Sequence, residues 1–183
     1  THSNSCVPSL STIRNFILHE ALSAPLKSND YELRLKTMVW IIYDWGHVRG
    51  DSDKHESWPK QFQNYQPEVI NSFISSNYRD RIASWSKVLA FAESTKYAIY
   101  DARVAMSLNA IFEKLGRSER FYMPVASSKK INKCFQDISR KFQAQATVGN
   151  PKYLGYFDYM SLLNEFVNKG LVTCPQEGVQ DFV

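Results

Sequence analysis

Asp101 is the side chain whose type and position most invite chemistry. It follows the short apolar run Tyr97 to Tyr100 and opens a periodic stretch that Gly116 closes. Asp is a favoured N-cap because its carboxylate accepts the otherwise unpaired N–H groups of a first helical turn. The spacing therefore predicts an ionised carboxylate, held in one orientation at the positive end of a helix. Such a group can stabilise positive charge that develops beside it, and it can equally do no more than finish a helix. Other reactive types are arranged less pointedly. His47 and His55 share a polar loop with Asp51, Asp53 and Glu56, at a spacing that matches no compact ligand motif, so a hydrated acidic loop is expected there and no metal site. Cys6, Cys134 and Cys174 are odd in number and far apart, which argues against a disulfide framework and for a reducing compartment.

The elements that must position these groups read as helices. Val104, Leu108, Ile111 and Leu115 recur at spacings of four, three and four and predict one apolar stripe behind Asp101. Gly116 at the position after the helix adopts the left-handed conformation without a Cβ penalty. Upstream, a helix from Pro8 has Ile13, Phe16, Ile17 and Leu22 as its core-facing residues and ends at Pro25. Asn29 or Asp30 caps a second helix that runs to Trp45 and is apolar on several sides after Thr37. A short helix is expected from Pro67. The next, from about Tyr78 to Ala92, buries Ile82, Trp85, Val88 and Leu89 and turns Ser84 and Lys87 to another face. Beyond Gly116, Ser127 or Ser128 caps a helix with Ile131, Phe135, Ile138 and Phe142 inside and Lys129, Lys130, Lys133, Arg140 and Lys141 outside. A last helix spans about Tyr153 to Asn168 and is closed by Gly170. The expected fold is all-α: one compact multi-helix domain over residues 1–183, with irregular termini at 1–7 and 171–183. Neither a repeat nor a low-complexity segment interrupts it.

The stretch Ile99-Tyr100-Asp101-Ala102-Arg103-Val104-Ala105, with Ile82 to Ala92 before it, resembles the helix–hairpin–helix DNA glycosylase superfamily, in particular its divergent 8-oxoguanine-type branch. The similarity covers Asn77 to Gly116 and extends to the flanking helices only in pattern. The hairpin that commonly reads Leu-Pro-Gly-Val-Gly is replaced by Ser75 to Arg81, with no Gly, so the motif is degenerate here. The resemblance implies a DNA-glycosylase-like fold and excision of a damaged or modified base by N-glycosidic bond cleavage. Asp101 would then lie beside the sugar of the extruded nucleotide. Lyase-type members place a Lys some way before this Asp; Lys87 is the nearest here, as an amine nucleophile, a phosphate contact or a plain solvated lysine on an exposed helix face. Base extrusion also needs a stacking wall and a plug, for which Trp45, Tyr156 and Tyr159 are candidates, each with a core role as the alternative. Ser84, Arg49, Arg103, Lys129, Lys130 and Lys133 are candidate DNA or base contacts.

Composition bounds these expectations. A 44% hydrophobic and 22% charged chain is that of an ordinary globular domain. A net charge of +4 permits a polyanionic partner without requiring one. No run approaches a membrane span, and the first twenty residues lack a signal-peptide core. Three cysteines cannot hold a four-Cys iron–sulfur cluster, so no cofactor is expected. The expected partner is double-stranded DNA with a modified or damaged base, an oxidised purine or a hypermodified phage base, met by a cytoplasmic monomer. A non-catalytic DNA-binding module and a helical protein-interaction module are the alternatives.

Overall fold

The computed structural model describes residues 10–47, 72, 74, 81–124, 130, 133, 134, 136, 137 and 153–171. These are mostly helical. They fall into two compact units, one formed by residues 1–73 and 83–99, the other by 74–82 and 100–183.

In the first unit, α1 (Leu10–Lys27) packs on α2 (Tyr31–Val39). Helix α1 does not stop at Pro25 as expected. Pro25 lies inside it, and the helix continues through Leu26 and Lys27. Proline removes one N–H near a terminus, where few further bonds depend on it. The covered line on α1 runs through His19, Leu22, Ser23 and Leu26, a helical i, i+3, i+4, i+7 set, with Leu26 fully buried. Phe16 and Ile17, expected in the core, are 42% and 60% exposed, and Ile17 falls on the opposite side of the helix from this line. Ile13 lies outside the residues whose side chains are described.

Asp30 caps α2 as expected, accepting the Leu33 N–H at 3.2 Å. The helix then changes pitch. Trp40–Trp45 is a π-helical turn, with the Gly46 N–H bonded five residues back to Ile41 O at 2.9 Å. One extra residue per turn shifts the register of everything that follows relative to an α-helix. Ile41 and Ile42 are fully buried in this turn, while Trp40 is turned outward. No apolar periodicity distinguishes such a turn from a continuing α-helix.

Helix α3 (Ile82–Ala92) starts later than Tyr78, since Arg81 has φ +52° and cannot be part of it. The expected core residues Ile82, Trp85, Val88 and Leu89 are buried, but so are Ser84, Ser86, Lys87, Phe91 and Ala92. Only Ala83 and Ala90 are half-buried, so α3 has no solvent face.

In the second unit, α4 (Ala102–Lys114) is capped by Asp101 and closed at Gly116, whose φ is +66°. The Gly116 N–H bonds to Glu113 O and the Arg117 N–H to Phe112 O, the paired bonds of a Schellman ending. Its buried face is not the expected one. Ala102, Ala105 and Asn109 are buried and Phe112 is half-buried, whereas Ile111 and Leu115 are 52% and 68% exposed. The two stripes differ by roughly 100° around the helix. The physical reason lies in what α4 packs against: β1 (Arg120–Phe121), paired in parallel with β2 (Tyr153–Leu154) in a two-stranded bridge. The Phe121 ring meets Phe112 edge-on at 5.3 Å, and its backbone is satisfied by Asn109, whose Nδ2 donates to Phe121 O at 2.9 Å while Oδ1 accepts the Phe121 N–H at 2.7 Å. Ala102 and Ala105, the small residues N-terminal to Asn109 on the same face, permit this approach. Helix α5 (Tyr156–Asn168) starts three residues after Tyr153, capped where Asp158 accepts the Gly155 N–H at 2.7 Å, and ends at Gly170 with φ +64°. The helix expected from Ser127 is described only at residues 130, 133, 134, 136 and 137, which are helical. Its apolar positions, the helix from Pro67 beyond Ser72 and Ile74, and the hairpin segment 75–80 lie outside the described residues.

Candidate active site

The cap at Asp101 is built by backbone geometry. Extended dihedrals (φ −124°, ψ −179°) bring its carboxylate over the first turn of α4, where Oδ1 accepts the N–H groups of Arg103 at 2.8 Å and Val104 at 3.0 Å. One oxygen thus carries both cap bonds. Among the described residues Oδ2 accepts none. The side chain is half-buried, neither sealed in hydrocarbon nor fully in water. A carboxylate so held offers one free oxygen in a fixed direction, supported by the positive end of the helix.

Tyrosines surround the start of this helix within the second unit. Tyr100 is buried and donates its hydroxyl hydrogen to Tyr122 O. Its ring lies 5.3 Å from Tyr159 and 6.1 Å from Tyr156. Burial raises the Tyr100 pKa, with further contributions from Tyr122, Tyr159 and Asp158. Burial likewise raises that of Tyr159, and the charge on Asp101 adds to it. Tyr159 is therefore close enough to sense the Asp101 carboxylate and is kept protonated. Tyr156 is fully buried and Tyr159 nearly so, with only 8% exposure. Both stand where core aromatics stand, which is the alternative weighed for them, and Tyr156 presents no ring face to solvent. Tyr100 is the member of this cluster that sequence reasoning missed; its position immediately before the cap is the signal that would have found it.

Of the proposed DNA contacts in this unit, Arg103 is exposed on the first turn of α4, and Lys130 and Lys133 are exposed helical residues. Lys129 and Arg49 lie outside the described residues.

Lys87 belongs to the first unit and is not the solvated lysine that a face apart from the core would make it. It is 8% exposed, and its Nζ donates to Gly46 O at 3.4 Å, across from the π-helical turn. Gly46 is required here: a Cβ would stand 2.6 Å from Ile42 O, 2.7 Å from Ile41 O and 3.2 Å from Lys87 Cδ. Ser84 is buried on the same helix. Trp45 is half-buried and meets Phe91 edge-on at 4.9 Å. His47 is exposed with φ +50°, and His55 is outside the described residues. Among the described residues no three His, Cys, Asp or Glu side chains gather as metal ligands, and no helix is long and apolar enough to cross a membrane.

No protein family, curated protein or solved structure matches the chain.

Proposed function

We propose that this protein is a DNA glycosylase that removes a damaged or modified base from double-stranded DNA in the cytoplasm, with Asp101 as the catalytic carboxylate. The observation that carries the proposal is the division of labour in that side chain: Oδ1 is anchored to two backbone N–H groups while Oδ2 accepts no hydrogen bond among the described residues. In the reaction the bond between the anomeric carbon and the base nitrogen breaks, and its electron pair leaves with the base. Positive charge grows on the sugar, where a fixed carboxylate in a water-poor site lowers the barrier. Water then adds to the carbon, and the proton it loses balances the one the departing base takes up. Water is the nucleophile of choice because the Lys87 amine is buried and bonded to a backbone carbonyl. Exposed Arg103, Lys130 and Lys133, with the net charge of +4, suit a phosphate backbone. The local resemblance to the 8-oxoguanine branch favours an oxidised purine, and a hypermodified phage base is the other substrate class to screen.

The deciding experiment measures base release from duplexes carrying oxidised purines and from modified phage DNA, with Asp101→Asn as control. Release that disappears in Asp101→Asn supports the proposal; equal release from both proteins, or none from any substrate, overturns it. A second reading has its own observation. Ile111, Leu115, Val167 and Leu171 are large apolar side chains 47–68% exposed, as in a protein-interaction module. Absence of any salt-dependent DNA affinity would select that reading.

A further inference from the structure

Within the second unit, Asp101 has a tyrosine for a neighbour. Tyr159 lies on the first turn of α5, where its N–H bonds to Gly155 O at 3.2 Å. Its ring packs 5.3 Å from that of Tyr100, the residue before Asp101 in the chain. The Asp101 charge adds to the upward shift that burial gives the Tyr159 phenol, so the two side chains are within electrostatic reach of each other. The hydroxyls of Tyr100 and Tyr159 are used differently. Tyr100 gives its hydrogen to Tyr122 O. Tyr159 is only 8% exposed, and its hydroxyl has no hydrogen-bond partner among the described residues. That oxygen is not one of the sealed polar atoms, so the small open part of Tyr159 includes it. Asp101 Oδ2 is likewise unbonded among the described residues and unsealed.

A neutral phenol and a carboxylate that lie near each other without bonding present one donor and one acceptor to a third group. Water is the smallest group that offers the matching acceptor and donor, and bridging such pairs is what ordered waters do. Too little of Tyr159 is open for a base to stack on it, but one open oxygen is enough to hold a water. We propose that Tyr159 positions the water that attacks the anomeric carbon, its hydroxyl donating to the water oxygen while one water O–H donates to Asp101 Oδ2. The remaining lone pair of that oxygen forms the bond to carbon as the O–H breaks. The proton passes to Oδ2 and leaves to solvent as the departing base takes one up, which restores the carboxylate. The inference rests on the base-excision reading and adds to it a residue that holds the nucleophile.

The test is single-turnover base release by the whole chain, with oxidised-purine duplexes and modified phage DNA as the probes. Tyr159→Phe should lower the rate about tenfold and leave duplex affinity within about twofold. It should melt no lower than wild type, since the hydroxyl it removes has no partner among the described residues. A fluorotyrosine at position 159 keeps the hydroxyl but makes it more acidic. The titratable neighbours of that phenol are Asp101, Tyr100 and Tyr156, and the exchange leaves all three unchanged. Fluorotyrosine should restore the rate at neutral pH and lose it in alkali at a lower pH than wild type, a limit that a merely packed ring would not move. Release that Asp101→Asn abolishes but Tyr159→Phe leaves within about twofold overturns this inference and spares the excision reading. So does a Tyr159→Phe effect on duplex affinity alone, or a pH limit that fluorotyrosine leaves in place. No release by the wild type from any probe overturns both.

Discussion

Asn109 holds Phe121 as a neighbouring strand would, its amide donating to one backbone group and accepting from the other at 2.9 and 2.7 Å. Both partners are buried. Replacing Asn109 by Leu leaves a backbone N–H and a C=O without partners, each costing about 1–3 kcal/mol. The Asn109→Leu variant should therefore show a urea midpoint well below wild type, although Leu is the better helix former. Asn109→Asp, which retains the acceptor and sets a carboxylate oxygen against Phe121 O, should be destabilised more at neutral than at acidic pH.

At Asp101, cap and chemistry separate by substitution. Asn retains a carbonyl oxygen for the Arg103 and Val104 N–H groups, so Asp101→Asn should hold stability within about 0.5 kcal/mol. DNA affinity should change little, while base release should fall by about 10²-fold or more. Asp101→Ala should lose the activity and about 1 kcal/mol of stability as well. Single-turnover assays beside thermal melts distinguish the two effects.

Borohydride reduction during turnover tests the nucleophile. With water attacking, no covalent adduct between protein and DNA should be trapped, and Lys87→Gln should alter folding more than chemistry. An adduct that vanishes in Lys87→Gln would make the lysine the nucleophile instead.

Gly46→Ala should destabilise the chain by about 1–3 kcal/mol, the usual range for overpacking. The added methyl meets two backbone carbonyls of the π-helical turn, which cannot rotate away as a side chain would. Gly116→Ala has open space for its methyl and should cost only the left-handed backbone penalty, about 1 kcal/mol. Comparing their melting temperatures separates crowding from backbone strain.

The tyrosine cluster predicts an alkaline limit. Tyr100 and Tyr159 are raised from the ordinary value of 10.0, each chiefly by burial, so the fold favours the neutral phenol. Their contribution is complete below about pH 10 and is lost as pH rises toward the folded-state values. The denaturant midpoint should fall above that pH. In the Tyr100→Phe, Tyr159→Phe double variant it should be lower at neutral pH, since Tyr122 O loses its donor, and flatter in alkali.

Helix ends were legible because caps are local chemistry: Asp30, Asp101, Gly116 and Gly170 all act where their types and neighbours place them. The buried core of α3 was legible too, through Ile82, Trp85, Val88 and Leu89. The buried face of α4 was not. Hydrophobicity pointed to Ile111 and Leu115, yet the face is chosen by a polar residue serving the backbone of β1, a demand invisible to any apolar count. A two-residue bridge between Arg120 and Tyr153 leaves no periodicity to read, and neither does a change of pitch at Trp40. The anchoring of Asp101 could be foreseen; that, among the described residues, a single oxygen takes both bonds could not.

Among the described lysines Lys87 stands apart in one practical respect. Lys96 and Lys169 keep more than half their side-chain surface in water, so an amine-directed label reaches them in the native protein, whereas α3 must first come loose before Lys87 can react. The pace at which that single amine takes up label is a built-in clock for the breathing of the helix around it.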